Sequence, residues 1–212
     1  NGKIMNKITD KVNYFLVIQN LIKQNIKVII LFALIIVFVF AGLQIYFFNK
    51  NKKILELSIV YNDSKYSNSP IDFIEDMNEI AETKSFYGLL ASLELINNKI
   101  NNNQHNESYE DYIQLLNNKK IDNLYKTLLA VHGSYNLLNK ISDEKINKLI
   151  TYIDESLDSF IGYRLELLFL LSVNNRNMDK MNSLYEQIIK NDRISLSIKE
   201  RVKKINEFEK YN

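Results

Sequence analysis

The chain has 212 residues, 27 Lys and Arg against 25 Asp and Glu, and no Cys. That length fits one or two domains, and the lack of Cys excludes disulfides, thiolate catalysis and Cys-based zinc sites. Charge is split: positions 1–50 hold six Lys and one Asp, while positions 51–212 hold 21 basic and 24 acidic side chains. A mildly acidic body is badly suited to neutralise phosphates, so no nucleic-acid partner is expected.

One Pro and five Gly in the whole chain favour long helices over a many-turned sheet. In residues 4–25, Ile8, Val12, Phe15, Ile18 and Ile22 recur at three- and four-residue steps. That spacing predicts an amphipathic helix, lying on a membrane face or extending the next element. The run from Val28 to Asn49 then contains no charged residue. At about 1.5 Å per residue it reaches roughly 33 Å, enough to cross a hydrocarbon core of about 30 Å. Lys27 and Lys50 bracket it, and Tyr46, Phe47 and Phe48 sit where an interfacial belt belongs. The run is longer than a signal-peptide core, which is typically about 7–15 residues, and it ends on aromatics, not small residues. The expectation is a single uncleaved anchor at 28–49. Lysines on both sides leave orientation nearly undetermined by charge; the short N-terminal stub favours an N-in anchor.

A helical stalk and linker (50–69) should follow, to about Tyr66. Ser69, Pro70 and Asp72 then give N-cap, first position and first-turn acid for a helix over about 70–82. Beyond it a repeat emerges, because Tyr87, Tyr125 and Tyr163 are evenly spaced. Each opens an apolar stretch, with apolar residues four later (Ala91, Leu129, Leu167) and six later (Leu93, Val131, Phe169). Polar breaks follow at Asn101–Asn106, Asn139–Asp143 and Asn174–Asn177, then shorter amphipathic helices over about 108–118, 143–153 and 178–190. A last helix over about 194–210 carries Ile198, Val202, Ile205 and Phe208 on one side and Lys199, Arg201, Lys203 and Lys204 on the other, as a polar-faced cap would. The expected fold class is all-α: one transmembrane helix, then stacked helix hairpins over 70–212 that cover one another's apolar faces. Leu128 is expected inside that stack.

The period and helix order resemble tetratricopeptide repeats, with Tyr87, Gly88 and Ala91 at aromatic, Gly and small positions of a first helix. No Trp occurs and no Pro closes a repeat, a departure that puts regular superhelical geometry in question. Anchor and body together resemble the bacterial family of ancillary SecYEG translocon subunits. The stretch Lys84-Ser-Phe-Tyr-Gly-Leu-Leu-Ala-Ser-Leu-Glu-Leu95 is similar to that family's opening repeat, with a looser likeness over Ile161–Ile205. The resemblance implies an inner-membrane protein with a cytoplasmic N-terminus, a periplasmic repeat domain, and translocon subunits and chaperones as partners.

Signs of chemistry are sparse. No HExxH, GxSxG or Gly-rich phosphate loop occurs. His105 falls in an Asn-rich loop and His132 inside a long helix, so exposure and packing are their default roles. Asp143-Glu144 and Asp154-Glu155 sit near helix starts, where carboxylates suit the dipole. No catalysis, cofactor, metal or small-molecule substrate is expected. Tyr87, Tyr125 and Tyr163 are expected to be repeat core, or to line a protein-binding groove. Lys199, Lys203 and Lys204 are the expected docking face. The function expected is a membrane-anchored, non-catalytic scaffold. The alternative is a structural accessory subunit of another large membrane complex, respiratory or organellar.

Overall fold

A computed structural model describes residues 2–209 except 68 and 84, with side chains from residue 25 onward apart from residues 29 and 33. Among the described residues there are nine α-helices and no strand. The chain divides into two compact units, Asn1–Asn68 and Ser69–Asn212.

The first unit is a helix, α1 (Gly2–Lys65), unbroken for 64 residues. It contains no Pro, and a Cβ added at its mid-helix Gly42 would meet nothing within 4 Å. Its stretch from residue 25 is long and apolar enough to cross a membrane, and the most apolar window is wholly exposed. Phe38, Phe40 and Phe48 show 74 %, 68 % and 70 % of their surface, which in water would leave a large apolar area unburied. The predicted amphipathic segment and the anchor thus belong to one continuous helix; the face drawn by Ile8, Val12, Phe15, Ile18 and Ile22 lies outside the described side chains.

The second unit comprises α2 (Pro70–Ala81), α3 (Phe86–Asn101), α4 (His105–Asn117), α5 (Asn123–Leu137), α6 (Asp143–Ile150), α7 (Asp158–Asn174), α8 (Met178–Lys190) and α9 (Leu196–Glu209). The Ser69 side chain caps α2 at the Asp72 amide, with Pro70 in the first turn, as its sequence requires. Neighbours in sequence are neighbours in space: α2 on α3, α3 on α4, and so on through α8 on α9. The helices α5, α7 and α9 also touch one another in turn.

The repeat register runs deeper than the tyrosines. Ala91, Leu129 and Leu167 are buried. So are Ile96, Ser134 and Ser172, and in the second helices Tyr112, Ile150 and Ile188. Each of α3, α5 and α7 is followed closely by a residue at positive φ: Asn103 (60°), Asn139 (63°) and Arg176 (53°). Asn tolerates this left-handed closure better than other residues with a Cβ, which suits Asn103 and Asn139 to two of the three breaks. One core cluster joins α3 through α7 and a second joins α7 to α9. Leu167 and Leu171 of α7 serve the first and Phe169 the second; a helix walled on both sides must be apolar nearly all round.

Candidate protein-binding surface

The three repeat tyrosines are not core. Tyr125 and Tyr163 are 39 % and 38 % exposed, and Tyr87 is half-buried. Each stands in the opening turns of its helix, one turn before the buried position, and so lies at the rim of the packed layer. Ser85 caps α3 at the Gly88 amide and Asp122 caps α5 at the Leu124 amide, fixing where those turns begin. Gly88 is required there: a Cβ at that position would meet the Thr83 carbonyl oxygen at 2.3 Å.

Phe86 joins two of the tyrosines. Its ring centre is 5.9 Å from that of Tyr87 and 5.9 Å from that of Tyr125. Tyr163 instead packs with Phe160 at 6.3 Å and edge-on with Tyr135 at 6.5 Å. Around these rings Phe86, Leu124 and Leu128 are 53 %, 45 % and 46 % exposed. Leu128, expected inside, is therefore on the surface, and the buried leucine is its neighbour Leu129 at 2 %. The reason is helical angle: adjacent residues point about 100° apart. Phe86 and Leu124 are separated by one repeat, as Tyr87 and Tyr125 are, so the register alone could have located them.

Helices α5, α7 and α9 are joined by an ion pair whose carboxylate is buried. Glu166 of α7, 2 % exposed, accepts from Arg201 Nε and Nη2 of α9, both at 2.7 Å, and from the Tyr135 hydroxyl of α5 at 2.6 Å. The pair pushes the Arg201 pKa up, chiefly through the hydrogen bonds to Glu166, and burial pushes that of Tyr135 up. In register, Arg201 is one repeat after Tyr163, and Glu166 takes the place of Leu128. Arg201, expected on the solvated face of α9, instead turns in to α7. Of the expected docking lysines, Lys199 is half-buried while Lys203 and Lys204 are exposed. Lys203 lies 4.0 Å from Glu207, so the face is mixed in charge.

His132 packs as expected, its Nδ1 2.6 Å from the Tyr112 hydroxyl and its ring beside the Asn136 amide. Burial lowers the His132 pKa and raises that of Tyr112 to about 12; a neutral imidazole accepting from a neutral phenol suits both shifts. The ring of Tyr112 lies against Gly133, where an added Cβ would sit 3.1 Å from it. His105 is not in a loop: it opens α4 and is half-buried. Among the described residues no three His, Asp or Glu side chains group as a metal site would need. No family model, no curated protein and no solved structure matches the chain.

Proposed function

We propose that the chain is a membrane-anchored scaffold whose second unit, a tetratricopeptide-like solenoid, holds a protein partner beside the bilayer as an accessory of the protein-export translocon and its chaperones. The observation that carries the protein-binding part is the exposure of Phe86 against Tyr125, with Leu124 and Leu128 on the same helix as Tyr125. Large apolar and aromatic side chains clustered on one surface are what partner recognition uses. The export assignment rests on the resemblance of anchor, short N-terminal stub and Tyr-Gly repeat to the ancillary translocon subunits. In that reading the N-terminus is cytoplasmic, helix α1 crosses the inner membrane over 28–49, and the repeats work in the periplasm. The lysines Lys199, Lys203 and Lys204 offer a second, polar contact at the far end of the array.

The test is capture of the intact protein from gently solubilised native membrane, with the co-purifying proteins identified by mass spectrometry. Translocon subunits or periplasmic chaperones, lost in a Tyr125→Ser, Leu128→Ser variant, are the expected result. Recovery of a different complex in fixed stoichiometry would refute the export role and make the chain a structural accessory subunit.

A further inference from the structure

The surface between α2 and α4 differs from the next seam along the second unit in both shape and charge. Two clefts of about 480 Å³ and 670 Å³ share Ala81, Glu82, Ser92, Leu115 and Asn118, and so form one trough along α3. One end opens beside Phe86 and Tyr125. The next seam, between α4 and α6, is laced shut: Lys145 reaches Asn106 at 2.9 Å and Glu110 at 3.7 Å over the Tyr109 ring, and Tyr152 bonds Asn117 at 2.8 Å. In the trough the polar link joins α3 to α4 instead, where part-exposed Lys99 pairs with Asp111 at 2.5 Å.

The segment that builds the trough is mainly acidic, although Lys99 and Lys120 also line its clefts. Positions 66–118 carry nine acidic and two basic side chains, while the unit's remainder is slightly basic. On α2 and its C-cap, Glu75, Glu79 and Glu82 fall at helical spacings of four and three, one stripe beside the lining residues Ile74, Asn78 and Ala81. All three are exposed, and among the described residues none makes an ion pair. On α4, exposed Glu107 adds one more acid, while Asp111 one turn on is held by Lys99. The trough is also lined by apolar side chains: Ile74, 42 % exposed, with Leu95 and Leu115.

We infer that this trough binds a basic amphipathic helix of a protein partner. An α-helix about 10 Å across would lay its apolar face on Ile74, Leu95 and Leu115 and present lysines or arginines to the acidic stripe of α2. The inference rests on the protein-binding role proposed above and adds the chemistry of the partner segment.

The full chain in zwitterionic nanodiscs tests it. Because the protein has no Cys, Asn78→Cys in the trough can carry an environment-sensitive dye, with Ser183→Cys on exposed α8 as the control. The probe is a synthetic Leu/Lys helix of about 18 residues, roughly 27 Å long, and its Leu/Glu counterpart. The Leu/Lys peptide should shift the dye at residue 78 and not at 183. Its affinity should fall about tenfold in Glu75→Gln, Glu79→Gln, Glu82→Gln and at high salt, and fall again in Ile74→Ser. The Leu/Glu peptide should not bind. Equal response at 183, unchanged affinity in the triple variant, or no saturable shift would overturn the inference. So would a dye already shifted by self-association without peptide, which would make the occupant a second copy. Capture from native membrane reports on the scaffold role alone, so its failure and the failure of the peptide test are told apart.

Discussion

Removing the exposed partner of the buried ion pair should harm the fold more than removing the buried one. Glu166 is 2 % exposed and takes three hydrogen bonds, two from Arg201 and one from Tyr135. The Arg201 side chain is half-exposed. In Arg201→Ala the carboxylate stays buried with only the Tyr135 hydroxyl to answer it. Breaking a buried pair in this way costs about 3–5 kcal/mol, and solvent beside the guanidinium lowers that to about 2–3 kcal/mol. In Glu166→Met no charge remains inside, the guanidinium swings to water, and a side chain of similar volume fills the gap. The preceding repeat already places an apolar Leu128 at the equivalent position. That change should cost under about 1.5 kcal/mol. Urea unfolding of the full chain in micelles, followed by helical circular dichroism, reads both. With a slope of about 2 kcal/mol/M, Arg201→Ala should lower the midpoint by about 1–1.5 M and Glu166→Met by less than about 0.75 M. The double variant should match Glu166→Met alone, since the penalty of Arg201→Ala exists only while the carboxylate is present. Equal losses in the two single variants, or a larger one in Glu166→Met, would refute the argument.

Burial separates two adjacent leucines. Leu129→Ala should lose about 3 kcal/mol or more through its cavity, and Leu128→Ala under about 1 kcal/mol, read by the same urea titration. Gly88→Ala forces a Cβ against the Thr83 carbonyl at 2.3 Å and should cost about 1–3 kcal/mol; thermal melts would reveal it. For His132 the sign follows from its lowered pKa. The unfolded chain binds the proton more readily, so the stabilisation is complete above about pH 6.5 and is lost as pH falls below it. Melting temperature should drop between pH 7.5 and pH 5 in the parent chain, and by less in His132→Gln.

Helix order and most boundaries were legible from the sequence because local signals set them. The uncharged run, Ser69-Pro70 and the polar breaks each act over one or two turns of chain, and the even spacing of the tyrosines marks where each unit restarts. Helices α2, α8 and α9 begin and end within a residue or two of the positions their patterns predict. Helix α4 begins earlier than its pattern predicts, at His105, since nothing in an Asn-rich stretch forbids an extra turn. What the period could not assign was depth. It makes Tyr87, Tyr125 and Tyr163 equivalent, but equivalence is not burial; whether a ring at that angle meets a neighbour depends on the helix beside it.

By itself, then, the sequence determined that the chain is helical, that one helix is apolar enough to cross a bilayer, and that the rest repeats. Those properties follow from periodicity and composition, which need no partner to be expressed. The tertiary structure alone decided that Leu129 and not Leu128 is core, that Arg201 turns inward to Glu166, and that the seam between α2 and α4 stays open while the next is laced by Lys145. Each of these depends on side chains far apart in the chain meeting across helices, and a contact of that range has no signature in the local pattern.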